Sequence, residues 1–256
     1  MAPSTGMVAM QECLHRAQWH YQQLTPEGNR SVRELCVRAL ELDPNFAEAK
    51  ASLANSFLID IFNLWTEDAA ATVRECLQNA EEAVALGQGN PTCHGALGWA
   101  CLFGRQPERA TLEFERAPAL NPSYAHAYWG LGVVLYNSGR ADEAVASIER
   151  AMRLSPHDAL TNLMVHNVGM AHFVAGRYEQ SADSARRSIA LNPNLASPHR
   201  LLAACCGQLG LIEEAQRALS ELHRIVPDFS VEAFREANQA VAEPMIEGWR
   251  KAGWVS

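Results

Sequence analysis

The stretch SYAHAYWGLGVVLYNSGRADEAVASIERAMRLSP, residues 123–156, contains one complete structural unit. Leu131, Gly132 and Leu135 fall on one face of a first helix, and Ala144 and Ile148 fall on one face of a second. Apolar residues at three- and four-residue spacing form a buried stripe. Gly132 is small where the two helices must come close. Pro156 closes the unit, because proline has no N–H and cannot continue the second helix.

The unit recurs along the chain. The endings ALELDPN (39–45), APALNPS (117–123), AMRLSPH (151–157), SIALNPN (188–194) and ELHRIVPD (221–228) carry Pro44, Pro122, Pro156, Pro193 and Pro227. From Pro122 onward the steps are 34, 37 and 34 residues. Pro44 and Pro122 lie 78 apart, two units plus ten residues, and AVALGQGN (83–90) supplies the missing ending with Gln88 in the proline's place. Six units follow, ending near residues 44, 88, 122, 156, 193 and 227, with insertions in the second and fifth. The same packing places hold Leu97-Gly98, Cys101, Ala110 and Phe114 in the third unit, and Val168-Gly169, His172, Ser181 and Ala185 in the fifth. In the sixth they hold Leu202-Ala203, Cys206, Ala215 and Leu219.

The first unit is degenerate in its first helix. Its second helix has Thr25 as N-cap and Pro26 at the first helical position. Pro118 falls inside the second helix of unit three and is expected to end or kink it near Arg116. Beyond Pro227, Val231, Phe234 and Val241 at helical spacing predict a helix that caps the last repeat; Pro244 is expected to break it before a shorter helix with Met245, Ile246 and Trp249. The domain reading is an N-terminal extension over 1–12, a repeat array over 13–227 and a capping helix with its tail over 228–256.

This pattern resembles the tetratricopeptide repeat, a helix–turn–helix unit of 34 residues, over roughly 13–227. The resemblance implies an all-α fold, a right-handed superhelix (α-solenoid) of about six such units. ALELDPNFAEAKASLA, GMAHFVAGRYEQSADSARRSIALNPN and the closing EGWRKAGW are also similar to the C-terminal repeat region of bacterial class III adenylate and guanylate cyclases and of some winged-helix transcription regulators. In such proteins the region accompanies a catalytic or DNA-binding domain, so the resemblance implies a detached module or a stand-alone relative.

By that resemblance, places 5, 9, 12 and 13 of each unit face a concave groove that binds a partner peptide or helix. The expected groove residues are Trp99, Phe103, Trp129, Val133, Tyr136, Asn137, His166, Met170, Phe173 and Arg200, with Ala204, Gly207 and Gln208 continuing unit six. Aromatic residues are common anchors of interfaces. Two occupancies stay open: a docked partner, or burial of these side chains against neighbouring units or in a homodimer. The clamp variant that holds chaperone C-termini needs Lys at place 5 and Asn at place 9 of one unit. No unit here has that pair, and Asn55 and Arg200 are isolated.

Composition narrows the function classes. The chain has 256 residues, 21 basic against 29 acidic, for a net charge of −8, so a nucleic-acid partner is not expected. No apolar run of 18 residues predicts a membrane span, and MAPSTGMVAMQEC lacks the features of a signal peptide. Seven cysteines without a C-x-x-C pair point to a reduced, cytoplasmic compartment rather than disulfides or a zinc finger. Cys101 and Cys206 share one packing place and are read as small core residues, as is His172. Glu143, Glu179 and Glu214 fall on early turns of second helices, where they complement the helix dipole and face solvent. No Walker, G-x-S-x-G or paired-carboxylate constellation is present, so the reading is not an enzyme, with no cofactor and no metal. The expected role is a protein–protein interaction scaffold or adaptor, the regulatory module of a bacterial signalling system. The alternative is a homo-oligomerisation module of a nucleotide cyclase or transcription regulator.

Overall fold

The computed structural model describes residues 5–63, 65–237 and 241–254, and these fold into fourteen helices with no strand among them. The first twelve form six helix pairs: α1 (Thr5–Tyr21) with α2 (Pro26–Leu42), α3 (Ala47–Asn63) with α4 (Ala69–Leu86), and α5 (Pro91–Phe103) with α6 (Pro107–Leu120). Then come α7 (Ala125–Asn137) with α8 (Ala141–Leu154), α9 (Thr161–Val174) with α10 (Tyr178–Leu191), and α11 (Ala196–Leu209) with α12 (Ile212–Ile225). The tail supplies α13 (Val231–Ala237) and α14 (Ala242–Lys251). This is an all-α solenoid of helix–turn–helix units. α1 starts at Thr5, so part of the stretch read as an N-terminal extension is helical; residues 1–4 and 255–256 lie outside the described residues.

The chain divides into two compact units, residues up to 130 and residues from 131, and the division falls within α7. In the first unit, Cys13, Ala17, Val32, Leu35, Cys36, Ala39, Ala49 and Leu53 form one core cluster. Phe114 of α6 lies against Gly98 and Gly130 with no room for a side-chain carbon on either. In the second unit Gly132 meets Ile148, and Gly169 meets Leu201 and Ser184. The small-residue places are therefore where helices touch.

Each end of a helix pair has a local cause. The residue before the proline ends the second helix in extended backbone, with φ −145° at Asp43, −142° at Asn121 and −149° at Asn192, as a following proline demands. The side chains of these three residues then accept from the backbone N–H two residues on, at 2.9–3.1 Å. This Asx turn steers the chain around the proline into the next first helix. Within the pairs, Gly139, Gly176 and Gly210 take φ of 77°, 72° and 74° in the tight turn between helices. Unit three places Arg105 at the matching position, with φ 58°.

Three local expectations need revision. α6 runs on through Pro118 to Leu120 instead of ending near Arg116. Proline there removes only the bond to the Phe114 carbonyl, and the last turn still closes through Asn121 N–H to Ala117 O at 2.9 Å. Pro244 does not break a helix: it sits in the first turn of α14, where its missing N–H has no intrahelical role. Glu214 does not simply face solvent, because it receives the Arg186 guanidinium of α10 through Nε at 2.8 Å and Nη2 at 2.9 Å. Thr25 caps α2 as expected, accepting from Gly28 N–H at 3.0 Å with Pro26 next to it.

The ten-residue insertion of the second pair is distributed evenly. α3 has 17 residues against 13 in α5, and α4 has 18 against 14 in α6. Each helix thus gains one turn, and the loop gains the remainder. Asp68 starts the lengthened α4 as N-cap, accepting from Ala71 N–H at 2.8 Å.

Candidate protein-interaction faces

In the first unit, the added turn of α3 carries Phe62 to Trp99, Phe103 and Trp129. Phe62 meets Phe103 edge-on at 4.9 Å and Trp99 at 5.5 Å, and stacks on Trp129 at 5.9 Å with 16° between the rings. Trp99 contacts Trp129 at 4.6 Å and Phe114 at 5.4 Å. Trp99 and Trp129 are 4% and 1% exposed, whereas Phe62 and Phe103 remain half-buried at the edge of the cluster. The buried Trp129 indole Nε1 meets no hydrogen-bond acceptor. Edge-to-face and offset arrangements of this kind are the preferred geometries of packed aromatic rings.

In the second unit, Val133, Tyr136, Met170 and Phe173 are buried and Asn137 is exposed. Phe173 packs on Tyr178 at 5.3 Å, and burial pushes the Tyr136 phenol above its ordinary range. His166 and Arg200 are half-buried. The His166 Nδ1 is enclosed without a partner, and burial, reinforced by the Arg200 charge, pushes its pKa down to about 3. The Arg200 guanidinium lies over the rings of Phe234 at 5.1 Å and Phe229 at 5.8 Å, and burial pushes its pKa down to about 10. Of the ten residues expected to line a groove, six are therefore buried in the single chain. Phe103, Asn137, His166 and Arg200 keep exposure.

The last first helix, α11, is covered. Its Arg200, Ala204, Gly207 and Gln208 all meet α14. Trp249 donates its indole N–H to the Arg200 carbonyl at 2.9 Å, Gly248 lies against the backbone of Ala204 and Gly207, and Gln208 donates to the Pro244 carbonyl at 3.1 Å. Phe229, Phe234 and Trp254 surround the fully buried Trp249 at 4.9–6.3 Å.

Sequence reasoning missed Phe62 and the placement of α14. Phe62 lies beyond the last numbered place of a standard first helix, inside the insertion. The i, i+3 spacing of Ile59 and Phe62 was its only signal. EGWRKAGW was conspicuous, but its glycine and tryptophan gain meaning only from the helix they cross.

The remaining polar groups hold the fold. All seven cysteines are free and buried. His172 Nδ1 is enclosed, and burial with Arg177 nearby lowers its pKa. Second helices are tied by Arg109–Glu81 at 2.6 Å in the first unit, and by Arg177–Asp142 at 2.6 Å and Arg186–Glu214 in the second. Among the described residues, no group of three or more His, Cys, Asp or Glu is arranged to hold a metal ion. No helix among them is long and apolar enough to cross a membrane.

Residues 125–158 match the tetratricopeptide repeat family. Over 225 residues the chain is 24% identical to Anaphase-promoting complex subunit 3 of Schizosaccharomyces pombe, which spans 88% of this chain and 31% of that protein. It is 23% identical over 148 residues to Transcriptional regulator HilA of Salmonella typhimurium, 58% of this chain and 27% of that protein. The chain thus spans about a third or less of these relatives. Among solved structures it is similar to a chain of the APC/C hetero-tetramer Cut9-Hcn1, with a TM-score of 0.67 and 19% identity over 85% of this chain and 40% of that one. That likeness is one of fold. The chain is an α-solenoid protein that carries a tetratricopeptide repeat at 125–158.

Proposed function

We propose that the chain is a protein-interaction scaffold that binds a peptide or helix of a partner protein on its first-helix faces, as the regulatory module of a cytoplasmic bacterial signalling system. The aromatic face of the first unit carries the proposal. Phe62 and Phe103 form its half-exposed edge, and Trp99 and Trp129 lock them from beneath. A face already held in place loses little entropy on binding, so more of the contact energy appears as affinity. In the second unit, Asn137 and His166 supply polar contacts beside the buried Tyr136, Met170 and Phe173. The likeness to a subunit of a multi-protein complex supports the scaffold reading.

Alanine at Trp129 or Phe173 would cut into the core, so the informative substitutions are at the edge. A partner captured by the native chain is titrated calorimetrically against native protein and against Phe62→Ala/Phe103→Ala. A fall in affinity of tenfold or more is expected while the helical signal is kept. Equal affinity in the folded double variant would overturn the reading.

The likeness to part of a transcriptional regulator favours a second reading, in which the array pairs with its own copy to oligomerise a regulator or a nucleotide cyclase. Sedimentation across a wide concentration range decides it: a dimer with no captured partner favours self-assembly.

A further inference from the structure

We infer that α11 presents a helix-docking slot and that α14 is its built-in occupant, so that this slot opens to an outside helix only when α14 leaves. Arg200, Ala204, Gly207 and Gln208 recur at four, three and one residue spacing and form one stripe along α11. α14 meets every one of them. Gly248 of α14 and Gly207 of α11 touch backbone to backbone, and a methyl group on either would collide with the main chain of the other helix. Trp249, next to that crossing point, donates to the Arg200 carbonyl at 2.9 Å. At the other end Gln208 bridges, donating to the Pro244 carbonyl at 3.1 Å and accepting from Lys251 Nζ at 2.7 Å.

The packing differs from that of one repeat on the next. α11 itself packs on α10, the second helix of the preceding pair, and only lightly on α9; in the first unit α5 packs on both helices of the preceding pair, α3 and α4. α9 likewise packs on α8. α14 instead lies along the first helix α11 and barely touches α12. It is therefore placed as a bound helix, not as the opening helix of another unit. The arrangement also states what an outside occupant must look like. It is an amphipathic helix with glycine at the crossing, a tryptophan beside it that reaches a backbone carbonyl, and a basic residue within one turn. An intramolecular occupant lowers the apparent affinity of such a helix by the fraction of time the slot is closed.

The test uses the full chain and a fluorescently labelled peptide of residues 241–254, VAEPMIEGWRKAGW. Two variants release α14 without touching the slot: Gly248→Leu, which cannot approach Ala204 and Gly207, and Trp249→Ala, which loses the anchor. Circular dichroism and hydrogen exchange should show α1–α12 kept and only the amides of α14 exchanging freely. The peptide should bind either variant at least tenfold more tightly than the native chain, and a peptide carrying Gly248→Leu should not bind. Loss of the whole helical signal in both variants would make α14 an integral part of the core and overturn the proposal. Equal peptide binding to native and folded variant chains, or none to either, would overturn it as well.

Discussion

His94 and Glu113 face each other across the third helix pair, with Nδ1 2.6 Å from Oε2. The other ring nitrogen lies 2.8 Å from the carbonyl of Gln88, six residues back at the closing place of the preceding unit. His199 stands in the same relation to Pro193 at 2.9 Å, and Tyr128 to Pro122 at 3.2 Å. In these three units a side chain six residues in thus returns to the turn that opened the unit, and joins the first helix to the end of the second helix before it.

His94 is buried, so its removal leaves a cavity, an unpaired carboxylate and a carbonyl without its donor. His94→Ala is expected to destabilise the fold by about 2–4 kcal/mol, the range for unpairing buried polar groups. Tyr128→Phe, whose hydroxyl is exposed to solvent, should cost about 0.5–1.5 kcal/mol at most. Urea unfolding of both variants checks the order. Equal losses would mean that the carbonyl contact, and not burial of the His94–Glu113 pair, sets the cost.

The turns inside the pairs make a second prediction. Gly139, Gly176 and Gly210 have positive φ, and nothing lies within 4 Å of where a methyl group would sit on any of them. Alanine there meets backbone strain alone. Each substitution should cost about 1–2 kcal/mol, the penalty of the left-handed region for a residue with a Cβ. Gly89→Ala, equally open and without a positive φ, serves as the control and should be neutral or slightly stabilising. Unfolding midpoints that do not separate Gly89→Ala from the other three would remove strain as the reason for these glycines.

Much of the fold was legible because its cause is local and periodic. Prolines at a repeated step stop second helices, and Gly132 or Gly169 must be small where helices cross. Thr25 and Pro26 cap α2 wherever the rest of the chain goes. What escaped depends on partners distant in sequence. Pro118 reads as a breaker, yet one lost hydrogen bond in a last turn is cheaper than unpacking Phe114 and Ala117, both fully buried. Glu214 reads as a solvated helix-start residue, and only the neighbouring α10 turns it into a partner of Arg186. The aromatic positions were legible as positions, but their exposure was not. Trp129 is buried beneath Trp99 and under Phe62, which comes from an insertion outside the repeat pattern.

The thiols make a third prediction. Burial pushes Cys36, Cys76, Cys93 and Cys205 up to about 12, and Cys101 and Cys206 up to about 11. The thiolate is the reactive form, so near neutral pH these groups are almost wholly protonated as well as enclosed. The adjacent Cys205 and Cys206 should stay reduced in the folded chain, and Cys205 instead donates to the Ser181 hydroxyl at 3.0 Å. Ellman's reagent should report no fast-reacting thiol among these six in native protein and all of them in denaturant. A Cys205–Cys206 disulfide formed under mild oxidation, without loss of helix, would contradict this.

Acid sensitivity is the fourth. His166 has an ordinary value near 6.5 when unfolded, and burial with the Arg200 charge holds it at about 3 in the folded chain. Between those values the unfolded chain binds a proton that the folded chain refuses. Stability therefore rises with pH across this window, and it is lost progressively as pH falls below about 6.5. His172, lowered in the same direction, adds to the native slope, as do carboxylates such as Glu82 and Glu214 at lower pH. The contribution of His166 is isolated by difference. His166→Asn should lose less stability than the native chain between about pH 6.5 and pH 5, where carboxylates still titrate little. Urea midpoints measured in steps across that interval give the two slopes. Parallel slopes would show that His166 accepts its proton in the folded chain, and that the enclosed Nδ1 beside Arg200 does not exclude it.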